Sequence, residues 1–297
     1  MSLAQDEARR ALYFTRAERN YEKQIAKIMR DALNDIRVEM SKIYEKYATN
    51  GILTKAQMTQ YNRLNNLEAS IKAIVKPATS KAIKVIDKLR PEEYGEAFFR
   101  TAWAIDNNTT LSLKFGALNK EAVERNLDNP FYTSAKESIL LNTVPQFRNA
   151  INKGLALGQS YPEMMKDIKT AVNGKNYEIM RVLRTELHSA QEGGTSAGYE
   201  AALEQGVKGK VVWTSTFDDR TREDHIAMDG VERDDDGMFR GAVGETPYPG
   251  WEGMEAGQRI NCRCDIRFEL EGLSAKDLGR DEKTTFDEWA KDKDYWK

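Results

Sequence analysis

The two cysteines of this 297-residue chain lie two positions apart, in the stretch "GQRINCRCDI". Two cysteines placed at random would take that spacing only about once in a hundred sequences or more. Thiolates and a nearby imidazole are ligands of structural zinc sites, whereas a disulfide between Cys262 and Cys264 would close a very small ring. The pair therefore indicates either a metal site or two small buried side chains.

Other patterns that could support catalysis are weak, and we assign no catalytic residue. The chain has only two histidines, and neither lies in a nucleophile motif of a hydrolase. Glu232, Asp234, Asp236 and Gly237 resemble the first half of a calcium-binding loop. Position 12 of that loop would be Val243 instead of glutamate, which favours a solvated acidic turn.

One enzymatic alternative remains open. Arg184, the "TST" stretch at 214–216 and Glu269-x-Glu271 follow the order of the Arg, Ser-Thr-Ser and Glu-x-Glu motifs that the ADP-ribosyltransferases carry. In such an enzyme the acid would stabilise an oxocarbenium-like ribose. The structural alternative is that Arg184 and Glu186 form an ion pair.

Charge is distributed unevenly along the chain. Lys and Arg outnumber Asp and Glu by 18 to 10 in residues 1–90, whereas the acids outnumber the bases by 26 to 17 in residues 181–297. A basic surface in the first 90 residues could contact DNA without sequence preference and with a strong dependence on salt, since no zinc-finger or RNA-binding motif is present. The alternative is two solvated surfaces of opposite sign.

Composition indicates a soluble chain of about two domains, with 40% hydrophobic and 31% charged residues. No apolar run approaches the roughly 18 residues that a membrane span requires, and "MSLAQDEARR" lacks the apolar segment of a secretory signal. We therefore expect an intracellular site of folding and no membrane partner.

The first third of the chain has the periodicity of a long amphipathic helix. An α-hairpin is predicted from three signals: a helix stop at Asn50 and Gly51, an N-cap at Thr54, and the end of the second helix near Pro77. The apolar positions of the first helix follow spacings of three and four residues: Tyr21, Ile25, Ile28, Ala32, Ile36, Met40, Ile43 and Tyr47.

Sequence patterns typical of helices continue to about residue 205, and patterns typical of strands and loops follow. Pro91 fits the first turn of a helix, Asn129 and Pro130 mark a boundary, and Ser160 can cap another helix. The stretches "KVVWTSTF" and "CDIRFEL" predict two strands separated by about 45 irregular residues, which the cysteines could pin.

These patterns predict an α+β protein, with a helical N-terminal region followed by a mixed domain that has a small C-terminal β-sheet. The predicted division is 1–130, 131–272 and a charged tail at 273–297. The tail contains a short helix and aromatic residues that we expect to be exposed and suited to docking on a neighbour.

Several words of the second half resemble the phage Mu F-like head morphogenesis family, the minor capsid proteins of tailed phages and prophages. The ordered set runs from "GLALGQSYPEMMKDI" through "RVLRTELHSAQEGGTSAGYEAALEQG" and "VVWTSTFDDRTREDHIAMDG" to "INCRC", and it covers roughly residues 131–270. The residues that we assign to this structural motif are Arg184, Glu186, Asp219, Arg220, His225, Asn261, Cys262, Arg263 and Cys264.

The resemblance implies a virion component at the head interior or portal vertex that acts in head assembly, DNA packaging or DNA delivery. The implied partners are the portal protein, a scaffold or major capsid protein, and packaged DNA through the basic N-terminal region. Assembly would take place in the bacterial cytoplasm.

The chain departs from a common family pattern. Many members have cysteines at the positions of Arg222 and His225 and a histidine at that of Arg259, a set that resembles a zinc site. Here His225, Cys262 and Cys264 remain as zinc ligands, one fewer than a closed structural site uses.

Two outcomes stay open for this centre. Asp224 or Asp218 could complete the zinc site. Alternatively, no metal is bound, both cysteines are small buried side chains, and Arg222 and Arg259 pair with the acids Asp218, Asp219 and Asp224. In both cases we predict that His225 lies close to the cysteines, and that Arg263 points to the opposite face of a strand, where it can pair with acids.

Overall fold

The computed structural model describes residues 2–271 and 284–296, and the architecture is α+β, as the sequence predicts. The long helices are α1 (Leu3–Tyr47), α3 (Arg63–Asp106), α5 (Pro130–Leu157) and α6 (Tyr161–Glu204), and the shorter ones are α2 (Lys55–Thr59), α4 (Lys120–Leu127), α7 (Glu223–Ile226), α8 (Ala256–Arg259) and α9 (Phe286–Ala290). The strands are β1 (Gly209–Thr214), β2 (Phe239–Gly241), β3 (Gly244–Thr246) and β4 (Asp265–Leu270).

The chain forms two compact units, and neither is a continuous stretch of sequence. The first unit contains residues 1–19, 87–129 and 184–297, and the second contains residues 20–86 and 130–183. This division differs from the linear one that the sequence analysis draws at residues 130 and 272. The reason is that α1, α3 and α6 each contribute residues to both units. A change in the predicted secondary structure along the chain therefore does not mark a boundary between units.

The second unit is helical, and α1 contributes a buried stripe to it. Ile25, Ile36 and Met40 are fully buried, as the periodicity predicts, whereas Ile28 is only partly buried. Met29 fills the buried position one residue later. The stripe is therefore real, but its centre is rotated slightly from the predicted one.

The turns and caps of this unit follow the sequence signals. Asn50 and Gly51 both have positive φ angles, which ends α1 and reverses the chain. Thr54 caps α2 in a capping box with Gln57, and the carboxylate of Glu163 accepts hydrogen bonds from Ser160 at the start of α6. These local signals are reliable because each satisfies a backbone group that a helix end leaves unpaired.

The prolines do not all end helices. The helix predicted to end near Pro77 continues as α3 to Asp106, and Pro91 lies inside α3 instead of in a first turn. Pro145 likewise lies inside α5. A proline removes one backbone hydrogen bond from a helix, and in these 44- and 28-residue helices the neighbouring packing outweighs that loss. Pro130, in contrast, begins α5 as predicted.

The first unit contains both small sheets. The predicted strands β1 and β4 pair antiparallel, with Trp213 opposite Ile266, and β2 pairs with β3. Trp213, Phe239 and Phe268 are buried in the core that these strands share with the helices of this unit. The long segment between β1 and β4 is thus anchored at both ends by one pair of strands.

The aromatic residues near the end of the chain pack inside the first unit, which corrects the expectation that they are exposed for docking. The ring of Tyr295 stacks on Phe99 with a centroid distance of 4.3 Å. The indole of Trp296 occupies the space beside Gly95 that a Cβ would fill. Part of the predicted tail, residues 273–283 and 297, lies outside the described residues.

Across the described residues, none of the helices combines the length and the apolar character needed to cross a bilayer.

Candidate functional site

The imidazole of His225 lies at the centre of a buried cluster in the first unit. It is carried by α7, which follows β1 after the loop at 215–222, and the ring contacts the edge of Trp213 at 6.2 Å between centroids. The backbone carbonyl of His225 accepts a hydrogen bond from the Ser215 hydroxyl. Burial of the ring and this anchored carbonyl hold the imidazole in one place.

Both cysteines meet this imidazole, as the sequence analysis expects. The Nδ1 atom of His225 lies 3.3 Å from the Sγ atom of Cys264 and 3.6 Å from that of Cys262. The cysteines lie in the irregular segment between α8 and β4, not in the strand itself. Asn261 precedes them with a left-handed φ of 54°, a conformation that asparagine adopts more readily than most residues.

The second nitrogen of the imidazole faces the side chain of a glutamine. Nε2 of His225 lies 3.0 Å from the amide oxygen of Gln258, and the amide nitrogen of Gln258 donates to Asp224 at 2.8 Å. Gln258 thus presents an acceptor to Nε2, while Nδ1 faces both thiols. Without a proton, Nδ1 can accept a hydrogen bond from a thiol or bind a metal, and with a proton it can donate to a thiolate.

The two thiols differ in acidity. The hydrogen bond from Cys262, together with the nearby His225, lowers the pKa of Cys264 despite the burial of its thiol. The same hydrogen bond and the burial raise the pKa of Cys262 well above its ordinary value. The pair is therefore arranged as a thiol that donates to a neighbour with thiolate character.

Three donor atoms fit a metal ion, whereas a fourth is missing among the described residues. The donor atoms of His225, Cys262 and Cys264 all lie within 4.8 Å of one another. Neither of the acids considered as a completing ligand joins them, since Asp224 binds Gln258 and Asp218 binds Arg263. Structural zinc sites normally use four protein ligands.

The arginines that replace expected ligands have other partners than predicted. Arg222 donates to the backbone carbonyls of Gln258 and Ile260, not to an acid. Arg259 donates to Glu186 at 2.6 Å and to the carbonyl of Gly250. The predicted pairing of these arginines with Asp218, Asp219 and Asp224 is therefore wrong. Carbonyls and a distant glutamate lie closer to their guanidinium groups.

Asp218 instead pairs with Arg263, the residue between the cysteines. Two parallel hydrogen bonds of 2.5 and 2.6 Å join the guanidinium to the carboxylate, and Thr221 accepts a third from the same guanidinium. The hydrogen bonds from Arg263 lower the pKa of Asp218. The expectation that Arg263 pairs with an acid is met, whereas its predicted place in a strand is wrong, because β4 begins at Asp265. Of the neighbouring motif residues, Asp219 and Arg220 are exposed.

Glu186 forms a second buried centre, with a partner that sequence reasoning missed. Its carboxylate binds Arg259 at 2.6 Å, Arg90 at 3.1 Å and the side-chain amide of Asn129 at 3.2 Å. Arg184, which the sequence analysis considered as its partner, lies 3.7 Å from Glu18 instead. No sequence pattern distinguishes Arg90 from the exposed lysines that precede it on the same helix. Its burial becomes evident only from the packing of that helix.

A third buried network was not predicted either. The fully buried guanidinium of Arg10 donates to Tyr199, Asp265 and the carbonyl of Ile266. Glu7 accepts a hydrogen bond from the Tyr199 hydroxyl at 2.6 Å, and burial raises the pKa of Glu7. These contacts join the beginning of α1 to β4 within the first unit.

Two residues of the enzymatic alternative, Thr214 and Glu269, lie on the paired strands β1 and β4 and are bridged by an arginine. In the antiparallel pair, Glu269 lies opposite Lys210 and Thr214 lies opposite Asp265. Four residues along a strand correspond to about 13 Å. Thr214 and Glu269 therefore occupy opposite ends of the β1–β4 ladder, and Arg267 lies between them with hydrogen bonds to both.

The acidic loop contains its own cation. The guanidinium of Arg240 lies among the carboxylates of Asp234, Asp236 and Glu245, at 2.5 to 2.6 Å from each. An arginine thus occupies the position where the carboxylates of a calcium loop would hold the ion, as expected for a solvated acidic turn.

Comparison with known proteins agrees with the words quoted from the sequence. Residues 145–267 match the family model of "Phage Mu protein F like protein". The minor head protein GP7 of Bacillus phage SPP1 is 28% identical over 258 residues, which cover 84% of this chain and 82% of that protein. No solved structure matches the chain.

A second relative has an enzymatic name. The NAD(+)--arginine ADP-ribosyltransferase EFV of Enterococcus faecalis is 25% identical over 281 residues, which cover 91% of this chain but 57% of that protein.

The segment that matches the family model contains the Arg-Thr-Glu, Asp-Arg-Thr and Asn-Cys-Arg-Cys motifs in order. Residues 145–267 of this chain are thus similar to the phage Mu protein F like proteins.

Proposed function

We propose that this chain is a structural minor head protein of a tailed phage or prophage, a virion component that acts in head morphogenesis. The observation that carries the proposal is the similarity to a minor head protein over 84% of this chain and 82% of the relative. Because both proteins match along most of their lengths, the role named for the relative applies to the chain as a whole.

The contacts of the motif residues support a structural role. Glu186 and Arg259 bind each other in the interior, Arg263 binds Asp218, and His225 contacts two thiols. In each case the side chain joins segments far apart in sequence. Such residues hold the segment from β1 to β4 in one conformation, which is what an assembly protein requires of a surface that other subunits recognise.

The expected partners are other head components, and among them we favour the portal protein, with a scaffold or major capsid protein as the next candidate. The test is co-expression of the chain with the portal, scaffold and major capsid proteins encoded beside it, followed by affinity purification and mass measurement. Retention of the portal at a fixed ratio supports the proposal. Absence of all three partners, together with normal assembly and infectivity of particles that lack the chain, contradicts it.

An ADP-ribosyltransferase activity is the second candidate, because one relative carries that name. The match leaves 43% of that relative uncovered, the complement of the 57% that matches. Thr214 and Glu269 also lie at opposite ends of the β1–β4 ladder. We therefore rank this activity below the structural role for this chain. Release of nicotinamide from NAD by the purified chain, lost in Glu269→Gln, would restore the enzymatic interpretation.

We propose that the His225 centre acts as a pin without metal, since three ligands are present where four are expected. His225 belongs to α7, and Cys262 and Cys264 belong to the segment before β4. Their contact fixes the loop that leaves β1 against the segment that enters β4, which stabilises the same loop that Arg263 and Asp218 hold.

A further inference from the structure

One face of α1 carries a row of four cations in the second unit. Lys23, Lys27, Arg30 and Arg37 follow spacings of four, three and seven residues, which place them on a single stripe of a helix. We call these four residues the cationic row. It extends from residue 23 to residue 37, or about 21 Å of helix.

The members of the cationic row face solvent and have no acidic partner. All four side chains are exposed, and no ion pair joins any of them to a carboxylate within residues 2–271 and 284–296. Asn34, which occupies the open position between Arg30 and Arg37, accepts a hydrogen bond from Arg37. The neighbouring acids Asp31, Asp35 and Glu39 lie on the adjacent face, and Glu39 is paired with Lys42.

This arrangement weakens the isolated helix. Like charges at spacings of three and four residues repel, and Lys23, Lys27 and Arg30 form two such pairs, which Asp31, four residues after Lys27, offsets only in part. An acid at any of these positions would relieve the repulsion. A feature that opposes local stability without contributing to packing is the kind expected at a binding surface.

We infer that the cationic row binds the phosphate backbone of double-stranded DNA, without sequence preference. This inference rests on the proposed function, because a head protein shares its compartment with the packaged genome. The row offers regularly spaced cations to a polymer that has one negative charge per about 1.7 Å of its axis. Its polar interleaving residue provides no hydrophobic contact with bases.

A membrane surface fits this face less well. An interfacial helix buries its apolar side among lipids, whereas the apolar side of α1 is already used by the core of the second unit. Ile25, Ile36 and Met40 on that side are fully buried. Only the charged side of the helix remains accessible, so DNA is the polyanion that the geometry favours.

The test compares two variants of the full chain that lose the same number of charges. In the first, Lys23, Lys27, Arg30 and Arg37 are all changed to Gln; in the control, the exposed lysines of α3 in the same unit are changed to Gln, namely Lys72, Lys76, Lys81 and Lys84. Binding to a 40-base-pair duplex of random sequence is measured by fluorescence anisotropy between 50 and 300 mM salt. Circular dichroism verifies that both variants fold.

The inference requires that the row variant loses at least about tenfold in affinity, and that its slope of log K against log salt falls by about three to four, because each phosphate contact contributes about 0.9. The control variant should change less than about twofold. Equal losses in both variants, or no measurable binding by the unmodified chain at 50 mM salt, overturn the inference. The inference is also overturned if the unmodified chain binds vesicles with 30% anionic phospholipid as tightly as it binds DNA, and if the row variant loses this vesicle binding as well.

Failure here is distinguishable from failure of the proposed function. A chain that still co-purifies with the portal protein but does not bind DNA keeps its role as a head protein and loses only the role of the cationic row. A chain that binds DNA through the row but associates with no head protein gives the opposite result.

Discussion

The guanidinium of Arg263 and the carboxylate of Asp218 form a two-point contact, with distances of 2.5 and 2.6 Å across 45 residues of sequence. Arg263 lies between the two cysteines, whose thiols contact His225. The motif at residues 262–264 thus contacts the segment after β1 at two places, Asp218 and His225. The motif therefore resembles a clamp more than an active centre.

Asp218→Asn should lower the stability of the first unit in a manner that depends on pH. Because the folded state lowers the pKa of Asp218 below the ordinary value of 3.8, its contribution is complete above that pH and is lost as the pH falls further. Urea unfolding followed by tryptophan fluorescence at pH 7 and near pH 3 gives the difference. The difference in unfolding free energy between the variant and the unmodified chain should be smaller near pH 3 than at pH 7, because the contribution begins to decline below the ordinary pKa. A constant difference contradicts this assignment.

Glu186→Gln should destabilise the first unit by about 3–5 kcal/mol, because Arg90 and Arg259 would lose their shared buried counter-charge. All five tryptophans belong to this unit, so their fluorescence reports its unfolding. The control is Glu204→Gln at the exposed end of α6, which should change stability by less than about 0.5 kcal/mol. Equal effects of the two changes would remove Glu186 from the centre of the network.

Ile36→Asp should cost several kcal/mol, because it places an unpaired carboxylate in the core of the second unit. Val38→Asp, two residues along the same helix, is the matched control, since Val38 is 54% exposed. Far-UV circular dichroism during thermal unfolding measures the loss of helix. Similar melting curves for both variants would show that the face of α1 bearing Ile36 is not buried.

Reduced protein freed of chelator should contain essentially no zinc by elemental analysis, since the centre offers three ligands. About one zinc per chain would contradict the metal-free pin.

The double change of Cys262 and Cys264 to Ser should lower the unfolding midpoint without altering partner binding, because the thiols pack against His225. Loss of a measured turnover at unchanged stability would instead make the cysteines catalytic.

Some of this structure follows from the sequence because it depends on local chemistry. Asn50, Thr54 and Pro130 each meet a requirement of a helix end or turn, and the strands β1 and β4 follow from their β-branched residues. The meeting of His225 with the cysteines could be predicted from the resemblance to the phage Mu F-like family, whose common pattern resembles a zinc site at these positions.

The partners of the buried charges could not be predicted. Arg90, Arg222 and Arg259 are equivalent in sequence to any exposed arginine, and only the folded backbone decides whether a carboxylate or a carbonyl is near. The two compact units do not follow from the sequence for a related reason: a helix pattern does not record which part of a 45-residue helix packs in which core.

The contact between Glu7 and β4 has a consequence for synthesis on the ribosome. The carboxylate of Glu7 accepts a hydrogen bond from the backbone of Phe268, 261 residues later, and Arg10 binds the carbonyl of Ile266. At translation rates of about 5–20 residues per second, these N-terminal charges wait on the order of 10 to 50 s for the strand that receives them. The second unit is complete in sequence at residue 183. It can therefore fold while the nascent chain is still being extended, whereas the first unit can close only after β4 has left the exit tunnel.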